Sequence, residues 1–123
     1  MSVIFLSSAI LKINGLNYDV YKASADAISD IAKLRPELAK DALSCLEKAL
    51  RKGRLDHYAN KAAANAIADV ARLRPEFAKD ALDSLVNVLM TEYLEYGAYK
   101  AAANAIIEIA ELRPELAEGA QRA

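Results

Sequence analysis

The chain has 123 residues, with 16 Lys and Arg against 17 Asp and Glu, a formal net charge of −1 and one Cys. That length suits one domain with a usable core, and 54% apolar with 27% charged residues excludes a disordered chain. The near-neutral balance argues against strong nucleic-acid binding, the single Cys excludes an internal disulfide framework, and no apolar run reaches the roughly 18 residues of a membrane span.

With 26 Ala and 16 Leu beside 4 Gly and 3 Pro, the expected class is all-α. The N-terminus shows neither the basic start nor the small-residue cleavage site of a secretory leader, so a cytoplasmic protein is expected. The tetrapeptide Leu-Arg-Pro-Glu begins at Leu34, Leu73 and Leu112, 39 residues apart each time. The alignment extends without gaps from Val20, Ala59 and Ala98. The first and second units match at 16 of 26 positions and the second and third at 15. One structural unit has been duplicated.

In chain order, residues 1–16 are expected as a lone helix, because VIFLSSAILKIN at 3–14 falls in the phase of the second helix of a unit. Repeat one follows at 17–55, repeat two at 56–94 and a truncated repeat three at 95–123, all within a single domain. The first helix of repeat one carries apolar positions at Val20, Ser24, Ala27, Ile28, Ile31 and Leu34, spaced by three and four. Lys22, Asp26, Asp30 and Lys33 form its polar stripe. Pro36, Pro75 and Pro114 disfavour helical backbone at the preceding Arg and end each first helix. Each Pro is also expected to open the next helix, where its missing N–H costs nothing. The Glu that follows it suits the first turn, where the helix dipole favours a carboxylate. The second helix is expected to bury Leu38, Ala42, Leu43, Leu46, Ala49 and Leu50, and in repeat two Phe77, Ala81, Leu82, Leu85, Val88 and Leu89.

The stretch VYKASADAISDI resembles the first-helix signature of HEAT-like repeats, which reads roughly Val-Arg-x-Ala-Ala-x-x-Ala-Leu-Gly-x-Ile. Val20, Lys22, Ala23, Ala25, Ala27, Ile28 and Ile31 carry the likeness, and KAAANAI at Lys61 and Lys100 repeats it. Tyr21, Asn60 and Tyr99 stand at the Arg position of the pattern, and Ser29, Ala68 and Ile107 at its Gly position. The resemblance covers about residues 17–123. It implies a short right-handed α-solenoid of antiparallel helix pairs with a 39-residue period, which scaffolds or binds other macromolecules. It fixes no chemistry.

Chemistry is sparse. His57 is the only histidine and Cys45 the only cysteine, so neither a metal site nor any other cofactor is expected. No Gly-rich phosphate loop, nucleophile elbow or paired-carboxylate pattern appears. The expected function is a non-enzymatic protein-interaction or scaffold module. The alternatives are an accessory or regulatory subunit of an enzyme or nucleic-acid complex and, less favoured, a lyase-like HEAT enzyme.

Three features point to partners. Tyr18, Tyr21, His57, Tyr58, Tyr96 and Tyr99 cluster near the starts of first helices, with Lys22, Lys61 and Lys100 in identical phase beside them. Either these rings and lysines bind a partner, or, in the preferred reading, the rings wedge between units and the lysines are solvated. Val86, Met90 and Tyr93 replace Glu47, Arg51 and Arg54 of repeat one on one helix face. They form a contact stripe, unless the loop 91–98 folds over them. Val3, Phe5 and Leu6 in the first helix and Ile107 near the other end are apolar where equivalent positions are small or polar. Residues 12–79 carry a net +4 and residues 80–118 a net −6. A homo-oligomer, most simply a closed dimer, is therefore expected, against a fragment of a longer array or a monomer capped by its first helix.

Overall fold

The computed structural model describes residues 9–11, 13, 15–51, 57–92 and 94–116, and among these all regular structure is helical. Helix α1 spans Tyr18–Leu34, α2 Ala39–Arg51, α3 His57–Leu73, α4 Ala78–Leu89 and α5 Tyr96–Leu112, with 3-10 turns at Pro36–Leu38 and Pro75–Phe77. Residues 9–11 and 114–116 are also helical. Val3, Phe5, Leu6 and Tyr93 lie outside the described residues.

Local chemistry sets the helix ends. Asn17 adopts extended backbone and its side-chain oxygen accepts the Val20 N–H at 3.1 Å, capping α1. Pro36 drives Arg35 out of the helical region, to φ −128 and ψ 81, so α1 stops at Leu34. Arg74 and Arg113 take nearly the same backbone, at φ −131, ψ 83 and φ −136, ψ 76. One sequence expectation is corrected here. Pro36 and Pro75 each open a 3-10 turn, and the α-helices begin three residues later at Ala39 and Ala78. Leu38 N–H donates to Arg35 O at 2.8 Å and Phe77 N–H to Arg74 O at 2.9 Å, the tighter spacing that redirects the chain in a few residues.

Helices α1, α3 and α5 lie side by side in one layer, α1 against α3 and α3 against α5. Helices α2 and α4 pack on each other and on α3 as a second layer, α2 also on α1 and α4 also on α5. The core between the layers holds Ile28, Leu46, Leu50, Ile67, Leu85, Val88 and Ile109, all fully buried. Buried Ala63, Ala64, Ala66, Ala102 and Ala105 let the backbones of the first layer approach. Of the expected core positions, Val20 and Leu34 at one flank of the layer and Leu89 at the end of α4 are exposed, because no described element covers them. Among the described residues no helix is long and apolar enough to cross a membrane.

Two of the three Leu-Arg-Pro-Glu arginines reach across to the preceding repeat. Arg74 donates Nε and Nη2 to Lys33 O at 3.0 and 2.6 Å, at the C-terminal end of α1, where free carbonyls and the helix dipole attract a cation. Arg113 Nη1 donates to Pro75 O at 3.4 Å. Each arginine also pairs with the glutamate two residues on, at 2.5 Å for Arg35–Glu37, 3.7 Å for Arg74–Glu76 and 2.6 Å for Arg113–Glu115. The carboxyls of Glu37 and Glu115 are held below their ordinary value of 4.5, first by their own main-chain N–H groups and then by the neighbouring guanidinium. A depressed folded-state value gives stability that is present above 4.5 and lost as pH falls through and below it. The melting temperature is expected to decline on that acid limb, and Glu37→Gln with Glu115→Gln to flatten the decline. An identical acid limb in the double variant would remove these two carboxylates from the account.

Candidate functional site

The exposed side of the α1–α3–α5 layer gathers most of the aromatic and lysine residues singled out in the sequence. A shallow hollow of about 190 Å³ is lined by Tyr18, Lys22 and Asp26 of α1, Ala62, Asn65 and Asp69 of α3, and Glu108 of α5. A second hollow, of about 620 Å³, shares Asn65 and Glu108 and runs along α3 and α5 past His57, Lys61, Glu95, Tyr96, Lys100 and Asn104. The two adjoin at Asn65 and Glu108 and together are called the groove.

The groove is graded in charge for a reason visible residue by residue. Positions 22, 61 and 100 hold Lys in phase, while the positions four residues on hold Asp26, Asn65 and Asn104. Lys22 Nζ pairs with Asp26 Oδ2 at 2.7 Å. That hydrogen bond, then the charge of Asp26, raises the Lys22 ammonium above its ordinary value. Asn65 and Asn104 offer no such charge, and Lys61 and Lys100 form no ion pair among the described residues. The α1 end is thus neutralised from within. The α3–α5 end presents two ammonium groups and two side-chain amides to whatever enters, with Glu95 and Glu108 also in its lining.

Aromatic rings border the lysines. Tyr18 and Tyr58 lie 6.1 Å apart and tilted by 54°, and His57 and Tyr58 4.2 Å apart. Lys61 Nζ stands 5.4 Å from the centre of the Tyr18 ring, within cation–π range. Tyr96 is largely exposed at the rim. The Glu95 side chain lies over Gly97, where a Cβ would come within 2.7 Å of Oε2, and Oε2 is buried without a hydrogen-bond partner among the described residues.

Two of the aromatic candidates do not belong to this surface. Tyr21 is 0% exposed. Its hydroxyl donates to Ile13 O and accepts the Leu16 N–H at 3.1 Å, tying down the segment before α1, in which Gly15 adopts a φ of 86 that favours glycine. Tyr99 repeats this, donating to Thr91 O and accepting the Leu94 N–H at 3.2 Å. Both hydroxyls tie down the chain before their own helix, with Tyr21 fully covered and Tyr99 half-buried. A leucine five residues before each of these tyrosines, at Leu16 and Leu94, is the sequence signal for the clamp. Asn65, Asn104, Glu95 and Glu108 were not singled out by sequence; the signal was the change from Asp26 to Asn beside an unchanged lysine.

The remaining candidates scatter. Val86 on α4 is half-buried, and Met90, just past the end of α4, is 74% exposed with Leu89 exposed beside it, in the other layer and apart from the groove. Ile107 is 55% exposed on α5. Cys45 is half-buried in α2, and no group of three or more His, Cys, Asp or Glu side chains disposed to hold a metal occurs among the described residues. Compared with protein-family models, curated proteins and solved structures, the chain matches none.

Proposed function

We propose that the chain is a non-enzymatic protein-interaction module, a short right-handed α-solenoid of antiparallel HEAT-like helix pairs with a 39-residue period, whose first-helix layer binds an acidic segment of a partner protein. The observation that carries this reading is the pair of lysines, Lys61 and Lys100, lining one groove beside Asn65 and Asn104 without an internal ion pair. An ammonium offers charge to a carboxylate, and an amide offers both a donor and an acceptor to a peptide unit. The rings of Tyr18 and Tyr96 give the partner apolar area at the rim. The solenoid reading is supported by the sequence repeat, by the matching backbone at Arg35, Arg74 and Arg113, and by the ordered contacts of α1, α3 and α5.

A fluorescein-labelled peptide alternating Glu with small apolar residues serves as the probe, read by anisotropy, with its Lys counterpart as control. The acidic peptide is expected to bind in preference. Lys61→Glu with Lys100→Glu is expected to weaken it about tenfold, the scale of two exposed charge contacts reversed, while Lys22→Ala leaves it unchanged. Equal binding of both peptides, or an unaltered affinity in the double variant, refutes the groove as the binding surface.

A further inference from the structure

The burial pattern of the three first-layer helices shows what each flank of the layer is shaped to meet. Helix α1 buries positions 21, 24, 25, 28, 29 and 32, and α5 buries 98, 102, 105 and 109. Moved by 39 residues onto α3, these become 60, 63, 64, 67, 68 and 71 from α1, and 59, 63, 66 and 70 from α5. Helix α3 buries every one of them. The α1 set is thus the face turned toward the following helix, and the α5 set the face turned toward the preceding one. Each end helix leaves the other half of the pattern exposed or half-buried, and this is its open half. On α5 the open half is Ala103, Ile107 and Ala110, with Ile107 55% exposed, where Ala64, Ala68 and Ala71 are buried in α3. On α1 it is Val20, Ala27 and Ile31, with Val20 39% exposed, where Ala59, Ala66 and Val70 are buried in α3.

We propose that the open face of α5 receives the open face of α1 from a second copy of this chain, continuing the α1–α3–α5 layer from one molecule into the next. Two further observations fit this occupant. Arg74 caps the C-terminal carbonyl of α1 at Lys33, whereas the side chain of Arg35, in the same position one repeat earlier, bonds only Glu37 among the described residues. In the stack, the second copy's Arg35 falls at Glu111, the position on α5 equivalent to Lys33. Charge also matches, since residues 12–79, which include α1, carry +4 and residues 80–118, which include α5, carry −6. Lys22 of α1 feels the charge of Asp69 on α3. The equivalent pairing across the stack joins Lys100 to Asp30 of the second copy. The contact is head-to-tail, so it extends to longer assemblies or closes as a ring. It uses the outer flanks of α1 and α5, with Lys100 the one groove residue at its edge, and Val20 and Ile107, on which it is tested, line neither hollow of the groove.

The test is sedimentation of the full chain between about 5 and 500 µM. The wild-type mass is expected to rise with concentration above 13.3 kDa. Ile107→Glu removes one face and Val20→Glu the other, each placing an unpartnered carboxylate in the contact, and each is expected to weaken self-association more than about tenfold. Both side chains are exposed in the single molecule, so helicity by circular dichroism is expected to be unchanged. Should Val20→Glu lose helicity, Ala23→Glu replaces it, at an exposed position of α1 whose α3 equivalent, Ala62, is buried. Mixed together, the two variants retain one intact face each and are expected to form a 1:1 heterodimer that goes no further. A wild-type chain of 13.3 kDa throughout the range, an Ile107→Glu variant that associates like wild type, or a mixture that stays monomeric overturns the proposal.

Discussion

Ile67→Ala is expected to destabilise the protein by about 2–5 kcal/mol, the range for removing a large aliphatic side chain from a packed interior. Ile67 is fully buried at the middle of α3, the helix that touches all four others. Its neighbours come from both layers and cannot collapse into the space without moving several helices. The equivalent positions in the other units grade the effect. Ile28 is equally buried in α1, but Ile106 is only half-buried in α5. The expected order of loss is therefore Ile67→Ala first, Ile28→Ala close behind and Ile106→Ala least. A domain of this size has a stability of about 5–15 kcal/mol, so the Ile67 variant gives up a large fraction of it. Urea unfolding measures the order directly. A loss below about 0.5 kcal/mol for Ile67→Ala is incompatible with the packing described.

Tyr21→Phe is expected to cost about 1–3 kcal/mol although it removes one oxygen atom, because it strands two main-chain groups at once. The Tyr21 hydroxyl accepts from Leu16 N–H and donates to Ile13 O, and the ring itself lies in the core with no exposed surface. Phenylalanine keeps the ring packing and loses both bonds. The loss separates from a general weakening through hydrogen exchange: the Leu16 amide should exchange faster in the variant than amides at the centre of α3 do. Tyr99→Phe breaks the same pair of contacts, to Leu94 N–H and Thr91 O, in a half-buried setting, and a smaller loss is expected there. Unchanged Leu16 exchange in Tyr21→Phe would show that the segment before α1 is held by something other than this hydroxyl.

The candidate groove was half legible. The lysines at 22, 61 and 100 announce themselves by phase, and their shared face follows from the helical period. That Lys22 is neutralised while Lys61 and Lys100 are not rests on one substitution, Asp to Asn, whose meaning appears only once the side chain four residues on is seen to reach the ammonium. The aromatic residues divide less predictably. Tyr18 and Tyr21 are three apart near the start of one helix, yet one borders the groove and the other is buried beneath a loop. Hydropathy treats them alike; only the contacts of Ile13 and Leu16 with the Tyr21 hydroxyl separate them.

The helical class, the long helices ending before each Leu-Arg-Pro-Glu arginine, and the alanine-rich surfaces along which they pack were all legible in the amino-acid order. These follow from local forces: the steric restriction before proline, the Asn17 cap and the three-and-four spacing of apolar residues act within a few positions of the chain. Tertiary structure decided what those forces leave open. The 3-10 geometry at Pro36 and Pro75, the reach of Arg74 across 41 residues to Lys33 O, and the burial of Tyr21 beside the exposure of Val20, Met90 and Ile107 all depend on which helix lies next to which. Repeats that match at most aligned positions carry similar local instructions. It is the presence of neighbours on both flanks of α3, and on only one flank of α1 and α5 among the described residues, that gives equivalent residues different surroundings and different work.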